Sequence, residues 1–208
     1  MLDQSTPVIT KKTLEKALDY PGLKQLTLDL IAQGKTTGMN QSESYLDYTR
    51  MNMVRMKRVE KTSKISPEME ALIKNISEPQ VWVILTEAWC GDGSQSIPFL
   101  AKIAELNPLI SIKIIFRDEN PEVMDRYLTN GARSIPKLIA FDQNLEEELY
   151  TWGPRPKFLQ DRLLAYKENT HGVSSKEFSE GTYLWYARDR NRSLEKEIMK
   201  LISEYVMA

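Results

Sequence analysis

The sequence predicts an α/β fold: a central mixed sheet with helices on both faces, plus helical extensions at its N- and C-terminal ends. Three observations point there. Apolar runs of strand length alternate with helix-period segments between Pro67 and Lys167, which implies parallel pairing through right-handed crossovers. The short connection after Phe141 marks an antiparallel hairpin, so the sheet is mixed. The flanking segments carry apolar residues at helical spacing.

Taken in order, Thr10 reads as an N-cap, and Leu14, Ala17 and Leu18 as a stripe that stops at Pro21. A second helix is expected from Leu23 to Ala32, ended by Gly34, and a loop from Gln33 to Gln41. The third and longest of these helices is expected over Ser42–Lys61, with Tyr45, Tyr48, Met51 or Asn52, Met56 and Val59 on its buried side. Ser66-Pro67 has the form of an N-cap followed by proline at the first helical position. Met69, Leu72, Ile73 and Ile76 would be buried there, and Glu78-Pro79 would end the helix. The expected strands are Val81–Thr86, Ile110–Phe116, Lys137–Phe141 and Glu147–Trp152. A helix from about Pro121 to Asn130, stopped by Gly131, lies between the second and third, and another starts near Pro156. Asn169 to Gly181 is polar with little periodicity. A last helix from Ser193 sets Leu194, Ile198, Leu201, Ile202 and Tyr205 on one face. The organisation expected is a helical extension over 1–66, a core domain over 67–168 and a C-terminal helical extension over 169–208.

Composition narrows the classes. Of 208 residues, 41% are hydrophobic and 27% charged, with a net charge of −1; this fits an ordinary globular chain with no general attraction to nucleic acid or membrane. No run of 18 apolar residues suits a membrane span, and Met1–Pro7 lacks signal-peptide character. A single cysteine cannot form an internal disulfide, which fits a reducing compartment and a cytoplasmic location. His171 is the only histidine, and no metal-ligand or phosphate-loop spacing is present, so neither metal nor organic cofactor is expected.

That cysteine, Cys90, follows the apolar run Val81–Leu85 and precedes a helical pattern in Ile97, Leu100, Ile103, Ala104 and Leu106. A thiol at a helix start is placed where backbone N–H groups and the dipole favour its anion. The expected thiol pKa is therefore modestly below about 8.5, with Asp92 and Glu87 opposing. Trp89-Cys90-Gly91 and the later Ile135-Pro136 pair resemble the thioredoxin family, whose Trp-Cys-Gly-x-Cys turn faces a cis-proline loop. Gly93 stands where the second cysteine would be. The run Asn52–Arg58 is also similar to longer bacterial thioredoxin-like proteins with an N-terminal helical extension.

The resemblance implies single-cysteine thiol–disulfide exchange, with Cys90 as nucleophile. Trp89, Gly91, Asp92, Gly93, Ile135 and Pro136 would form the substrate-binding edge. The partner would be a disulfide-bearing protein or a low-molecular-weight thiol, and resolution would need an external thiol. The alternative is a redox-inactive thioredoxin fold kept as a binding module, with Cys90 a small buried hydrophobe. Burial of Cys90 under extra helices would favour the module. Ser94 and Ser96 either bond the sulfur or sit in the helix's first turns. Arg50, Arg55, Lys57, Arg58, Lys61 and Lys64 make the third helix basic, either as a solvated face or with Arg55 or Arg58 reaching the Cys90 face. Tyr183, Trp185 and Tyr186 are expected to anchor the tail to the core.

Overall fold

A computed structural model describes residues 7–206, so the stretch Met1–Pro7, expected to lack signal-peptide character, lies outside the described residues except for Pro7. The sheet has four strands, β1 (Gln80–Thr86), β2 (Ile110–Phe116), β3 (Lys137–Asp142) and β4 (Glu148–Trp152), in the order β2-β1-β3-β4. β1 runs parallel to β2 and antiparallel to β3, and β3 runs antiparallel to β4. The expected mixed sheet is therefore present.

Eight helices surround it among the described residues: α1 (Tyr20–Ala32), α2 (Glu43–Thr62), α3 (Pro67–Lys74), α4 (Gly91–Ala104), α5 (Pro121–Arg126), α6 (Lys157–Glu168), α7 (Ser175–Asp189) and α8 (Arg192–Val206). One sheet face carries Trp82, Ile84, Leu138, Ala140 and Trp152, packed with Phe99 and Leu100 of α4, Met69 and Ile73 of α3, and Leu194, Ile198 and Ile202 of α8. The other carries Val83, Leu85, Ile139 and Phe141, packed with Val123 and Met124 of α5, Ile9, Ile135 and Cys90. The central strands are buried on both sides, as parallel strands under crossover helices require. Leu194, Ile198 and Ile202 are fully buried, each contributing about 1.5–3 kcal/mol of apolar transfer; α8 is part of the core rather than an appendage.

The sequence reading needs correction at four places. Residues 11–16 form turns rather than a helix, and Leu18 instead makes an isolated antiparallel bridge to Ile114. Leu18 N donates to Ile114 O at 2.9 Å, and Ile114 N donates to Leu18 O at 2.7 Å. The open edge of β2 thus competes successfully for a segment of weak helical pattern, because strand-edge N–H and C=O groups need partners. Pro21 then opens α1 instead of closing the previous helix, with Asp19 as N-cap accepting from Gly22 N at 2.7 Å.

In α2 the buried stripe is Leu46, Thr49, Asn52, Arg55, Met56 and Val59, whereas Tyr48 and Met51 are exposed. α5 ends at Arg126, short of Asn130, because Thr129 and Ala132 bridge around Gly131 at φ +74°. Finally, part of the polar stretch expected to be irregular is α7. Its start is a capping box: Ser174 Oγ accepts from Glu177 N, and the Glu177 carboxylate accepts from Ser174 N. Its periodicity is weak because it lies on the surface and fully buries only Tyr186.

Candidate functional site

The end of β1 delivers Glu87–Trp89 into a turn, and Cys90 becomes the N-cap of α4. Its Sγ accepts from Gly93 N at 3.3 Å and donates to the Ile135 carbonyl, also at 3.3 Å. The Ile135–Pro136 peptide is cis. Cys90, Gly91, Gly93, Ile135 and Pro136, far apart in sequence, therefore meet at one point. The approach to the cysteine is pinned from α2 and the loop before it: Asn52 Nδ2 donates to Ala88 O at 2.9 Å, and Ala88 N donates to Thr37 Oγ at 2.8 Å. Trp89 packs on Tyr45 with ring centroids 4.9 Å apart, and the Arg117 guanidinium lies 4.8 Å from its ring.

Cys90 is buried, with 6% of its surface exposed. The cover comes from the C-terminal half. A Cβ on Gly91 would collide with the Tyr183 hydroxyl, so Gly91 is what allows that tyrosine to lie over the turn. The Arg55 guanidinium is 3.5 Å from the centre of the Tyr183 ring, with one nitrogen donating to Asn52 Oδ1 at 2.7 Å. Asp92, at the second position of α4, accepts from Tyr186 at 2.7 Å and pairs with Arg155 at 2.6 Å. The site is thus a thiol under a lid of two tyrosines, with a carboxylate and two guanidiniums around it.

The electrostatics overturn the expected lowering of the thiol pKa. Burial first, and the Asp92 charge second, push the Cys90 thiol up to about 12, against the opposing pull of the Gly93 N–H and Arg155. Burial likewise raises the Asp92 carboxyl, while Arg155, Tyr186 and Arg55 act to lower it. The Glu87 carboxylate is engaged away from the sulfur, accepting from Asp118 N at 2.9 Å. Ser94 and Ser96 donate to the carbonyls of Gly91 and Asp92, at 2.7 and 3.0 Å, and not to sulfur. Arg58 donates to Gln95 at 2.6 Å, so of the two basic candidates it is Arg55 that borders the cap. His171 lies in the exposed loop before α7.

Sequence reasoning missed Arg155. The Gly153-Pro154-Arg155-Pro156 link after β4 was the available signal, since it returns the chain from the sheet to the Cys90 side. The position of Gly93 also has a physical basis beyond a missing thiol. A Cβ there would lie 2.8 Å from Thr86 Oγ and 3.5 Å from Cys90 Cβ.

A family model described as thioredoxin matches residues 38–170 of this chain. No curated protein matches. Among solved structures, an HIV epitope scaffold resembles the chain at 14% identity with a TM-score of 0.54, covering 90% of this chain and 99% of its own. A protein of unknown function from Pseudomonas aeruginosa is similar to the same degree, at 14% identity and a TM-score of 0.54, over 90% of this chain and 98% of its own. At that identity the likeness to both concerns the fold.

Proposed function

Given that the chain belongs to the thioredoxin family, we propose that it performs single-cysteine thiol–disulfide exchange through Cys90 when the Tyr183–Tyr186 cap is displaced. The observation that carries this reading is the pairing of Cys90 Sγ with the carbonyl next to cis-Pro136 at 3.3 Å. This arrangement would let an extended substrate chain lie along Ile135–Pro136 with its sulfur in line with Sγ. The Cys90 thiolate attacks one sulfur of the substrate disulfide, the S–S bond breaks, and the other substrate sulfur leaves as a thiolate. Without a cysteine at position 93, an external thiol attacks the mixed disulfide and releases Cys90. Trp89, Gly91, Asp92, Gly93, Ile135 and Pro136 line the substrate edge in this scheme, and the substrate is a protein disulfide or a low-molecular-weight mixed disulfide.

A second reading rests on the burial of Cys90 and its raised pKa: with the cap closed, the fold is a redox-inactive binding module. Alkylation and trapping on the full chain separate the two. Exchange predicts that a disulfide substrate forms a covalent adduct at Cys90, lost in Cys90→Ser and discharged by added thiol. Absence of any adduct, even with Tyr183→Ala opening the turn, leaves the module reading in place.

A further inference from the structure

The geometry points to a second site, independent of Cys90: a pocket between the end of α2, the start of α3 and the α7–α8 joint that binds a small multivalent anion of phosphate or pyrophosphate chemistry. The cavity has a volume of about 670 Å³ and is lined by Lys64, Ser66, Arg188, Arg190, Arg192 and Glu195 among others. Small-ligand pockets are typically about 300–1,000 Å³.

Its charge is mostly positive, with Lys64, Arg188, Arg190 and Arg192 against the one carboxylate of Glu195. None of Lys64, Arg188, Arg190 and Arg192 makes an ion pair among the described residues, although Arg50, Arg133, Lys74 and Lys157 elsewhere each hold a carboxylate. The acids nearby are already engaged. Glu195 is buried and accepts from Ser66 N at 2.6 Å, and Asp189 accepts from the Ser193 N–H and hydroxyl at 3.1 and 2.7 Å. Arg192 donates only to backbone carbonyls, those of Asp189 and Arg188. Four exposed cations share one concavity with a single carboxylate, that of Glu195, so the concavity carries a local positive excess in a chain of net charge −1, a field that attracts a multivalent anion.

The walls are fixed independently of any ligand. Asn191 Nδ2 donates to Ser63 Oγ at 3.0 Å, and Lys102 donates to the Ser63 carbonyl at 2.8 Å, so the α7–α8 joint is tied to the end of α2. Guanidinium groups suit phosphate because their paired N–H groups match two oxygens. The lining contains no aromatic ring for base stacking, which sets nucleic acid aside. The concave shape favours a compact ligand over an extended acidic peptide.

Isothermal titration of the full chain with pyrophosphate at low salt tests this, with a polyglutamate peptide as comparison. Pyrophosphate should bind, more weakly as salt rises. Lys64→Gln combined with Arg188→Gln should weaken it about tenfold or more, while Lys57→Gln combined with Lys61→Gln, exposed on α2 outside the cavity, should leave it unchanged. Arg190→Asn, a residue that tolerates the left-handed backbone at this position (φ 53°), should also weaken binding. The proposal is overturned by no binding of pyrophosphate, by equal losses in the pocket and α2 variants, or by binding of polyglutamate alone.

Discussion

The Tyr186 hydroxyl donates to Asp92 Oδ1 at 2.7 Å across 94 positions of sequence. It ties the helix that covers Cys90 to the first turn of the helix that Cys90 caps. Arg155 holds the other carboxylate oxygen at 2.6 Å, so one buried acid gathers two pieces of the C-terminal half over the thiol.

Loosening that attachment should expose the sulfur. Tyr186→Phe removes a hydrogen bond to a charged group, and the expected loss of stability is about 1–3 kcal/mol. Tyr183→Ala removes the ring over Gly91 and leaves Arg55 without its aromatic partner. Both variants should alkylate at Cys90 faster than the wild type with iodoacetamide at neutral pH. Unchanged rates in both would mean that the cap does not control access.

Replacing the acid has two opposed effects. Asp92→Asn leaves Arg155 buried without its counter-charge, and breaking such a pair costs about 3–5 kcal/mol when fully buried; the small residual exposure of both side chains, 18% and 15%, places the expectation at the lower end. The same change removes the negative neighbour that raises the Cys90 thiol. The urea midpoint should fall while the alkylation midpoint shifts to lower pH. A midpoint that stays put would show that burial alone holds the thiol protonated.

The thiol also links stability to alkaline pH. A free cysteine titrates near about 8.5, whereas burial holds native Cys90 up to about 12. Between those values the unfolded chain has lost a proton that the native chain keeps, so stability is full below the first and declines as pH rises through the second. Wild-type urea midpoints should therefore fall more steeply above the free-thiol value than those of Cys90→Ala, a comparison that cancels the contribution of the buried tyrosines. Parallel curves would contradict the shift.

The vacant cysteine position can be refilled only with help. A Cβ at Gly93 would lie 3.5 Å from Cys90 Cβ, inside the disulfide span of about 3.5–4.5 Å. It would also lie 2.8 Å from Thr86 Oγ. Gly93→Cys alone should lose about 1–3 kcal/mol to overpacking, and Thr86→Ala should restore part of that. With added oxidised glutathione as electron acceptor, the double variant should then form the bridge within one chain, read as loss of free thiol with a mass change of only the two hydrogens removed. Oxidation only between chains would show that the first turn of α4 cannot hold the bridge.

The strands were legible because they rest on local signals such as the run Val81–Leu85, whereas the meeting of Cys90 with Pro136 was legible only through the resemblance of Trp89-Cys90-Gly91 and the Ile135-Pro136 pair to the thioredoxin family. What hid from the sequence depends on long-range competition. Leu18 belongs to a helical pattern until the β2 edge is known, and then its backbone pairs with Ile114. α7 carries almost no apolar stripe, since it fully buries only Tyr186, although Ser174 and Glu177 did mark its start. The partners of Asp92 were hidden for a similar reason: a carboxylate in a helix's first turn looks solvated until Tyr186 and Arg155 arrive from far along the chain.

The burial of Ile198 and Ile202 under the sheet bears on how the protein is made. Trp82, Ile84 and Leu138 pack in the same cluster as these late residues, so during synthesis the part of that apolar face that α3 and α4 do not cover stays open until residue 202 has left the ribosome. A nascent chain paused before α8 would present that face to chaperones and proteases, and a stop codon ahead of Leu194 would make the exposure permanent.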